Sequence, residues 1–129
     1  DLISNINASE ADELEKVKRI IILLVSFSEK NPGLARLLTR EAFSVEETSL
    51  DERIGQMMAK IELQIKQNLQ KYEQLTKRKL ALPTASAANL LLASSEGVIQ
   101  QFVRSGFKDS PSKRINDQSE FLISSLKLS

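Results

Sequence analysis

The sequence contains no histidine and no cysteine. Those two absences remove the commonest general base, the thiolate nucleophile and the side chains that bind most transition metals. Glycine is scarce, and its four occurrences at positions 33, 55, 97 and 106 lie too far apart to build a phosphate-binding loop. The G-x-S-x-G nucleophile motif is also absent. We therefore expect a protein that is not an enzyme and needs no metal or cofactor.

An excess of charge of one sign is lacking too, because 18 basic side chains nearly cancel 17 acidic ones. This balance gives no reason to expect unaided binding to nucleic acid or to an anionic membrane. No apolar run approaches the roughly 18 residues that a membrane-spanning helix needs, and the first residues lack the basic-then-apolar order of a signal peptide. The sequence therefore favours a soluble intracellular protein without a membrane partner.

The length of 129 residues suits one domain, which can bury a core without disulfide or metal support. The first residue is Asp1 rather than methionine, and apolar residues repeat at helical spacing from the start. We therefore expect a single domain over residues 1–129 that belongs to a longer protein. Residues 1–8 are expected to form the end of a helix that begins before Asp1.

A sharp corner, Asn31-Pro32-Gly33, separates the apolar run Ile20–Val25 from a second amphipathic segment. Pro32 cannot continue the helix before it, because proline lacks the N–H and pushes the preceding residue out of the helical region. Gly33 would permit almost any backbone angle at the turn. Since leucines resume helical spacing directly afterwards, the corner predicts a helix, a tight turn and a second helix.

Along most of the chain, apolar residues recur every three or four positions and strand patterns are weak, which predicts an all-α fold of about six helices. The second helix begins with polar residues and is apolar on every face over Ile20–Val25, as is typical of a helix at the centre of a bundle. The predicted helices cover residues 1–7, 9–30, 33–43, 44 or 49 to 79, 85–108 and the segment after Ser110-Pro111.

The last two helices offer small and apolar side chains that let another helix approach closely. From the pattern alone, these faces either pair with a second copy in a four-helix dimer interface or pack within the chain. The candidate interface residues are Leu91, Ser94, Val98, Phe102 and Ser105 on the fifth helix, with Ile115, Ser119, Leu122 and Leu126 on the last.

Three side chains of the long fourth helix, Met57, Met58 and Tyr72, have the character of a pocket lining. Methionine adapts to irregular apolar ligands, and tyrosine offers a hydroxyl at a rim. Ordinary core packing explains the same helical spacing. Both interpretations stay open at this point.

Two strings carry a resemblance to a known family. The first is Leu-Leu-Val-Ser-Phe-Ser-Glu-Lys-Asn-Pro-Gly-Leu over residues 23–34. The second is Glu96-Gly97 followed by Phe-Val-Arg-Ser-Gly-Phe-Lys over residues 102–108. With the order of the helices, these strings resemble the C-terminal domain of the TetR family of DNA-binding regulators, and in particular its nucleoid occlusion members.

The resemblance implies an N-terminal helix-turn-helix domain outside this chain, so DNA would be bound through that domain only. It also implies a TetR-like helical bundle that forms a homodimer through its last two long helices, with no obligatory small-molecule ligand. The nucleoid occlusion members act in the cytoplasm on the nucleoid. They restrain the division protein FtsZ, which prevents a division ring from closing over the chromosome.

In that family the FtsZ-contacting surface involves the helix that joins the two domains and the helix before the Asn-Pro-Gly corner. Carried over by position, the candidate FtsZ contacts are Leu23, Ser26, Lys30 and Asn31. Leu23 would supply an apolar contact, and small Ser26 would let a peptide approach. Lys30 and Asn31 would supply charge and hydrogen-bond donors. Ser26 stands where the family has glycine, and Asn5 stands where it has arginine.

Two other classes of function remain as alternatives. One is a ligand-responsive TetR-type repressor that binds a small apolar molecule among Phe43, Met57 and Ile61, which predicts a cavity of roughly 300 Å³ or more. The other is a helical adaptor unrelated to DNA, which would require the longer protein to lack a helix-turn-helix.

Overall fold

The computed structural model describes residues 2–39 and 48–127, and every regular element in those two ranges is a helix. The all-α prediction is therefore confirmed, with six helices in these ranges and no strand. The helices are α1 (Leu2–Asn7), α2 (Glu13–Lys30), α3 (Pro32–Leu38), α4 (Thr48–Thr76), α5 (Thr84–Arg104) and α6 (Pro111–Leu126).

Helix α2 lies at the centre of the bundle and contacts each of the other five helices. Four of its side chains, Val17, Ile20, Ile21 and Val25, are at most 1% exposed. A helix surrounded in this way needs apolar residues on several faces at once, which the run Ile20–Val25 provides. Four residues of this run, Ile20, Ile21, Leu24 and Val25, lie in the core, whereas Ile22 and Leu23 are half-buried.

The other walls of the core come from one apolar stripe on each surrounding helix. The i, i+4 and i+8 spacing of Ile61, Ile65 and Leu69 places all three on the inner face of α4. The Ala81 backbone N–H donates to the Leu126 carbonyl at 2.9 Å, which ties the α4–α5 connection to the end of α6. The remaining buried apolar residues of α5 and α6 are Ala87, Ala88, Leu91, Leu92, Val98, Ile99, Phe102, Ile115, Ile123 and Leu126.

Several helix ends differ from the sequence-based boundaries: α3 ends at Leu38 instead of residue 43, α5 ends at Arg104 instead of residue 108, and one end each of α2 and α4 also differs. Helix α2 begins at Glu13, because the Asp12 carboxylate accepts the Glu15 N–H at 2.9 Å and caps the first turn. Helix α4 ends at Thr76, since Lys77 has a left-handed backbone with φ of 60°. The predicted start at residue 9 and the predicted end at residue 79 were each off by about one turn.

The Phe-Val-Arg-Ser-Gly-Phe-Lys string forms the end of α5 and the turn after it. The Phe107 N–H donates to the Phe102 carbonyl at 2.8 Å, and the Gly106 N–H donates to the Val103 carbonyl at 3.0 Å. This pair of bonds is a Schellman motif, which requires a left-handed residue after the helix, and Gly106 has φ of 72°. The Phe102 and Phe107 rings meet edge to face, 5.3 Å apart, and add the apolar contact that accompanies the motif.

The Asn31-Pro32-Gly33 corner differs in one respect from its sequence interpretation. Pro32 is the first residue of α3, a position where its fixed φ suits the helix and its missing N–H costs nothing. Gly33 lies inside α3 and does not have a positive φ, so the turn makes no use of glycine's freedom. Pro32 alone is therefore enough to separate the two helices.

The Gly33→Ala substitution is expected to raise the free energy of unfolding by about 0.5–1 kcal/mol, because alanine loses less backbone entropy on entering a helix. A Cβ at Gly33 would meet no atom within 4 Å. Chemical denaturation of the wild type and the variant measures the difference. Gly106→Ala is the matched control, and its left-handed φ of 72° predicts a loss of stability instead.

Candidate functional site

An apolar groove of about 510 Å³ runs between α1, α2 and α4 and is open to solvent along one side. Leu23 and Phe27 line it from α2, and Phe27 is 49% exposed although it is a large apolar side chain. An aromatic ring left half in water beside other apolar groups marks a surface suited to binding. The other apolar lining residues are Leu2, Ile3, Ile20, Leu24, Leu34, Met57 and Ile61.

Three amide side chains hold α1 in place as one wall of the groove. The Asn7 Nδ2 group donates to Gln64 Oε1 at 2.8 Å, and Asn68 Nδ2 donates to Asn7 Oδ1 at 2.9 Å. Asn68 is only 8% exposed, so its polar group needs a partner that Asn7 supplies. Because Asn7 ends α1 and the other two residues lie on α4, this network fixes α1 across α4.

The four candidate FtsZ contacts lie on one side of α2 and at its end. Leu23, Ser26 and Lys30 share a helical face at i, i+3 and i+7 spacing, and exposure increases along it from half-buried Leu23 and Ser26 to exposed Lys30. Leu23 also lines the groove. Asn31 is exposed, and its Nδ2 group donates to the Phe27 carbonyl at 2.8 Å, so one of its two donors already caps α2.

Phe27 is the groove residue that sequence reasoning missed. It lies four positions after Leu23, so both side chains project from neighbouring turns of the same helix. The spacing was visible in the sequence. Which flank of α2 stays uncovered depends on where α1 and α4 pack, and that information is tertiary.

The Glu29 carboxylate, on the last turn of α2, joins this helix to the start of α6. Its Oε1 atom accepts from the Ser110 hydroxyl at 2.7 Å, the Ser112 hydroxyl at 3.1 Å and the Ser112 N–H at 3.3 Å. The Ser110 hydroxyl, followed by the donors of Ser112 and the charge of Lys30, lowers the pKa of Glu29 against the opposing effect of burial. A separation of 81 residues between Glu29 and Ser110 hid this contact from sequence reasoning.

Folding stability is expected to depend on the charge of Glu29. Because its folded-state pKa lies below the ordinary value of 4.5, the contribution is fully present above that value and disappears as pH falls through the folded-state pKa. At pH 7 Glu29→Gln should unfold at lower urea concentration than the wild type. The gap should narrow as pH falls below 4.5 and close once pH lies below the folded-state pKa. Urea titrations from pH 7 to pH 3 measure this, and a gap that does not change with pH would contradict it.

A second polar tie joins the first half of α2 to the second half of α6. The Lys18 ammonium pairs with the Glu120 carboxylate, and their mutual hydrogen bond raises the pKa of Lys18 and lowers the pKa of Glu120. Glu120 is exposed, so solvent screens the pair and its contribution to stability is small. The two ties together align α6 along the side of α2.

Six of the nine predicted dimer-interface residues are buried in the chain's own core, and the interface itself stays a prediction. They form the most apolar stripe of each helix, and the core takes that stripe first because its burial gains the most free energy. Ser94, Ser105 and Leu122 are half-buried at the edge of that stripe. The six core residues are Leu91, Val98, Phe102, Ile115, Ser119 and Leu126.

A different face of the last two helices points outward. On α5, Leu90, Ala93 and Gly97 share one face, and Leu90 is 37% exposed. On α6, Phe121 is 70% exposed, the largest such value among the large apolar side chains in the described ranges. Next to this face, partial burial and the neighbouring Glu62 charge raise the pKa of Glu96. Dimerisation stays a prediction, and these exposed apolar residues of α5 and α6 are available to carry it.

The predicted small-molecule site overlaps the groove only in part. Met57 and Ile61 line it, whereas Met58 and Tyr72 are partly buried against the core. Phe43 lies outside the described residues. The volume exceeds the roughly 300 Å³ that the ligand hypothesis requires, but the groove is a surface trough rather than an enclosed cavity.

Two kinds of feature are absent from the described ranges. No group of three or more acidic side chains is placed to hold a metal ion. No helix in residues 2–39 and 48–127 combines the length and apolar character needed to cross a membrane.

Comparison with known proteins identifies relatives over nearly the whole chain. Residues 11–127 match the SlmA-like family described as Tetracyclin repressor-like, C-terminal domain. The chain is 41% identical over 124 residues to the nucleoid occlusion factor SlmA of Shewanella halifaxensis, and that match covers 94% of this chain. The proteins of the same name from Shewanella putrefaciens and Shewanella oneidensis are 42% and 41% identical. The matched segment spans 63% of the length of each of these relatives.

Proposed function

Because this chain belongs to the SlmA-like family of tetracycline repressor-like C-terminal domains, we propose that it is the dimerisation and FtsZ-antagonising domain of a nucleoid occlusion factor. The longer protein would bind chromosomal DNA through its N-terminal domain and hold this domain at the nucleoid in the cytoplasm. There it would restrain assembly of the division ring. Relatives named nucleoid occlusion factor SlmA support this assignment.

The observation that carries the proposal is the apolar groove lined by Leu23 and Phe27, with the exposed cation Lys30 one turn after Phe27 on the same helix. Such a trough fits an apolar peptide segment laid along α2. Covering the exposed part of Phe27 would remove apolar surface from water, at about 25 cal/mol per Å². Lys30 would pair with an acidic group at one end of the segment and fix its direction.

Dimerisation supports the same function. Two copies joined through the outward face of α5 and α6 would present two grooves and two DNA-binding heads. Linked heads can read a palindromic site, and linked grooves bind a polymer of FtsZ with avidity rather than with the affinity of one site. Leu90, Gly97 and Phe121 are the proposed interface residues.

Purified FtsZ provides the direct test. Light scattering should show altered GTP-dependent assembly when the full-length protein is added with its DNA site, and this chain should bind FtsZ in a surface-binding assay. Lys30→Glu is expected to weaken binding about tenfold or more, because it places an anion where the partner is expected to be acidic. Lys77→Glu makes the same charge change beyond the far end of α4 and should bind as the wild type does.

Truncating the groove aromatic tests the apolar part of the surface. Phe27→Ala should weaken FtsZ binding about fivefold to fiftyfold, since aromatic anchors carry much of the energy of an interface. Phe27 is half exposed in the free chain, so the fold should tolerate the change. If neither FtsZ binding nor FtsZ assembly responds to the wild-type protein, the proposed function is wrong.

The ligand-responsive alternative would place a small apolar molecule in the same groove. Small-molecule sites bury most of the ligand's surface, which an open trough does not achieve. The shape therefore favours a peptide. Release of DNA from the full-length protein by an apolar compound, with no effect on FtsZ, would reverse this preference.

A further inference from the structure

One carboxylate oxygen on the last turn of α2 accepts several hydrogen bonds from the first turn of α6. Glu29 Oε1 receives the Ser110 hydroxyl, the Ser112 hydroxyl and the Ser112 N–H at 2.7–3.3 Å. Glu29 lies between Ser26 and Lys30 on the chain, and it faces α6 while Lys30 faces solvent. The contact between Glu29 and α6 therefore anchors the helical turn that also carries Lys30.

The arrangement replaces the usual cap of α6. Ser110 occupies the N-cap position, but its hydroxyl makes no capping bond within its own helix. The Ser112 N–H is one of the first-turn donors that a helix leaves without an internal partner, and Glu29 supplies the acceptor from outside. A carboxylate suits this position because the helix dipole places positive charge there.

The residues that follow Glu29 need such support. The Lys30 and Asn31 side chains are both exposed, and the bond from Asn31 Nδ2 to the Phe27 carbonyl lies within α2, so neither side chain anchors this turn to another helix. The Asn31 backbone has already left helical geometry, with ψ of 79°. Glu29 is the last side chain of α2 that is anchored to another helix before the corner.

We propose that Glu29 is a positioning residue for the partner surface: by binding Ser110 and Ser112 it fixes the final turn of α2 and so holds Lys30 and Asn31 in the orientation that the partner meets. This inference rests on the proposed function in taking FtsZ as the partner. It assigns Glu29 no direct contact with that partner.

The test is Glu29→Ala in the full chain, with Ile123→Val as the matched control. The control loosens the packing of buried Ile123 on α6 without touching the corner. FtsZ affinity, measured well below both melting temperatures, should fall about fivefold to tenfold in Glu29→Ala, the scale of one ordinary hydrogen bond. It should stay within twofold of the wild type in Ile123→Val. The double variant Ser110→Ala/Ser112→Ala, which removes two donors, should weaken binding in the same direction.

An NMR measurement tests the positioning without the partner. The backbone ¹⁵N–¹H heteronuclear NOEs of Lys30 and Asn31 should drop in Glu29→Ala and remain at wild-type values in Ile123→Val. Unchanged NOEs would overturn the inference, and so would full FtsZ affinity in Glu29→Ala when Lys30→Glu binds weakly. If the wild type does not bind FtsZ, the proposed function fails and the NOEs still decide whether Glu29 positions the corner.

Discussion

Gly97→Leu is expected to raise the dissociation constant of the dimer by about a hundredfold or more, because a large side chain in a close helix–helix contact forces the helices apart. Gly97 lies on the outward face of α5 with Leu90 and Ala93. A Cβ at this position meets no atom of its own chain within 4 Å. The added Cβ therefore causes no clash within its own chain.

The fold itself should not suffer from this substitution. Leucine favours the helical conformation over glycine by roughly 0.8 kcal/mol, so the monomer should unfold at equal or higher denaturant concentration. Sedimentation equilibrium gives the dissociation constant, and circular dichroism gives the stability. The expected signature is a weaker dimer made of an equally stable or more stable chain.

Gly55→Leu is the control for Gly97→Leu. Gly55 lies in α4, is exposed, and a Cβ there also meets nothing within 4 Å. Gly55→Leu makes the same chemical change as Gly97→Leu, on a face of α4 that we do not assign to the interface. If both variants dimerise as the wild type does, the outward face of α5 is not the interface.

Ile65→Ala is expected to lower the free energy of unfolding by about 3–4 kcal/mol, a large share of the 5–15 kcal/mol available to a domain of this size. Ile65 is 0% exposed at the middle of the inner face of α4, between Ile61 and Leu69. Removing three carbon atoms there leaves a cavity that the surrounding helices cannot fill. Urea denaturation should show a lower midpoint with an unchanged slope.

Leu63→Ala provides the comparison for the core variant. Leu63 lies two residues away on the same helix and is 49% exposed. Its truncation removes a similar volume without opening a cavity, so the cost should stay below about 1 kcal/mol. Equal losses at the two positions would mean that the inner face of α4 is not buried as described.

Helix periodicity predicted the fold class well because an amphipathic stripe and a helix-breaking proline are local signals. The central place of α2 followed from the same kind of evidence, since only a surrounded helix needs apolar residues on all faces over Ile20–Val25. Gly33 shows the limit of such reasoning. A glycine after a proline looked like part of the turn, yet Pro32 already starts the next helix and Gly33 continues it.

The candidate site was predictable only in part. Leu23 was identified through family resemblance and does line the groove, but Phe27 was not, because the open flank of α2 depends on the packing of α1 and α4. The dimer face stays a prediction for a related reason. The fifth helix has small or apolar residues on more than one face, and the sequence does not say which face its own neighbours cover.

The contact between α2 and α6 also bears on how this chain is made. Lys18 and Glu120, which pair across these helices, lie 102 residues apart in the sequence. At about 5–20 residues per second, a ribosome needs roughly 5–20 s to synthesise the second after the first. During that time the apolar surface of α2 that α6 will cover has no partner. The nascent chain is therefore expected to depend on ribosome-associated chaperones until its last helix emerges.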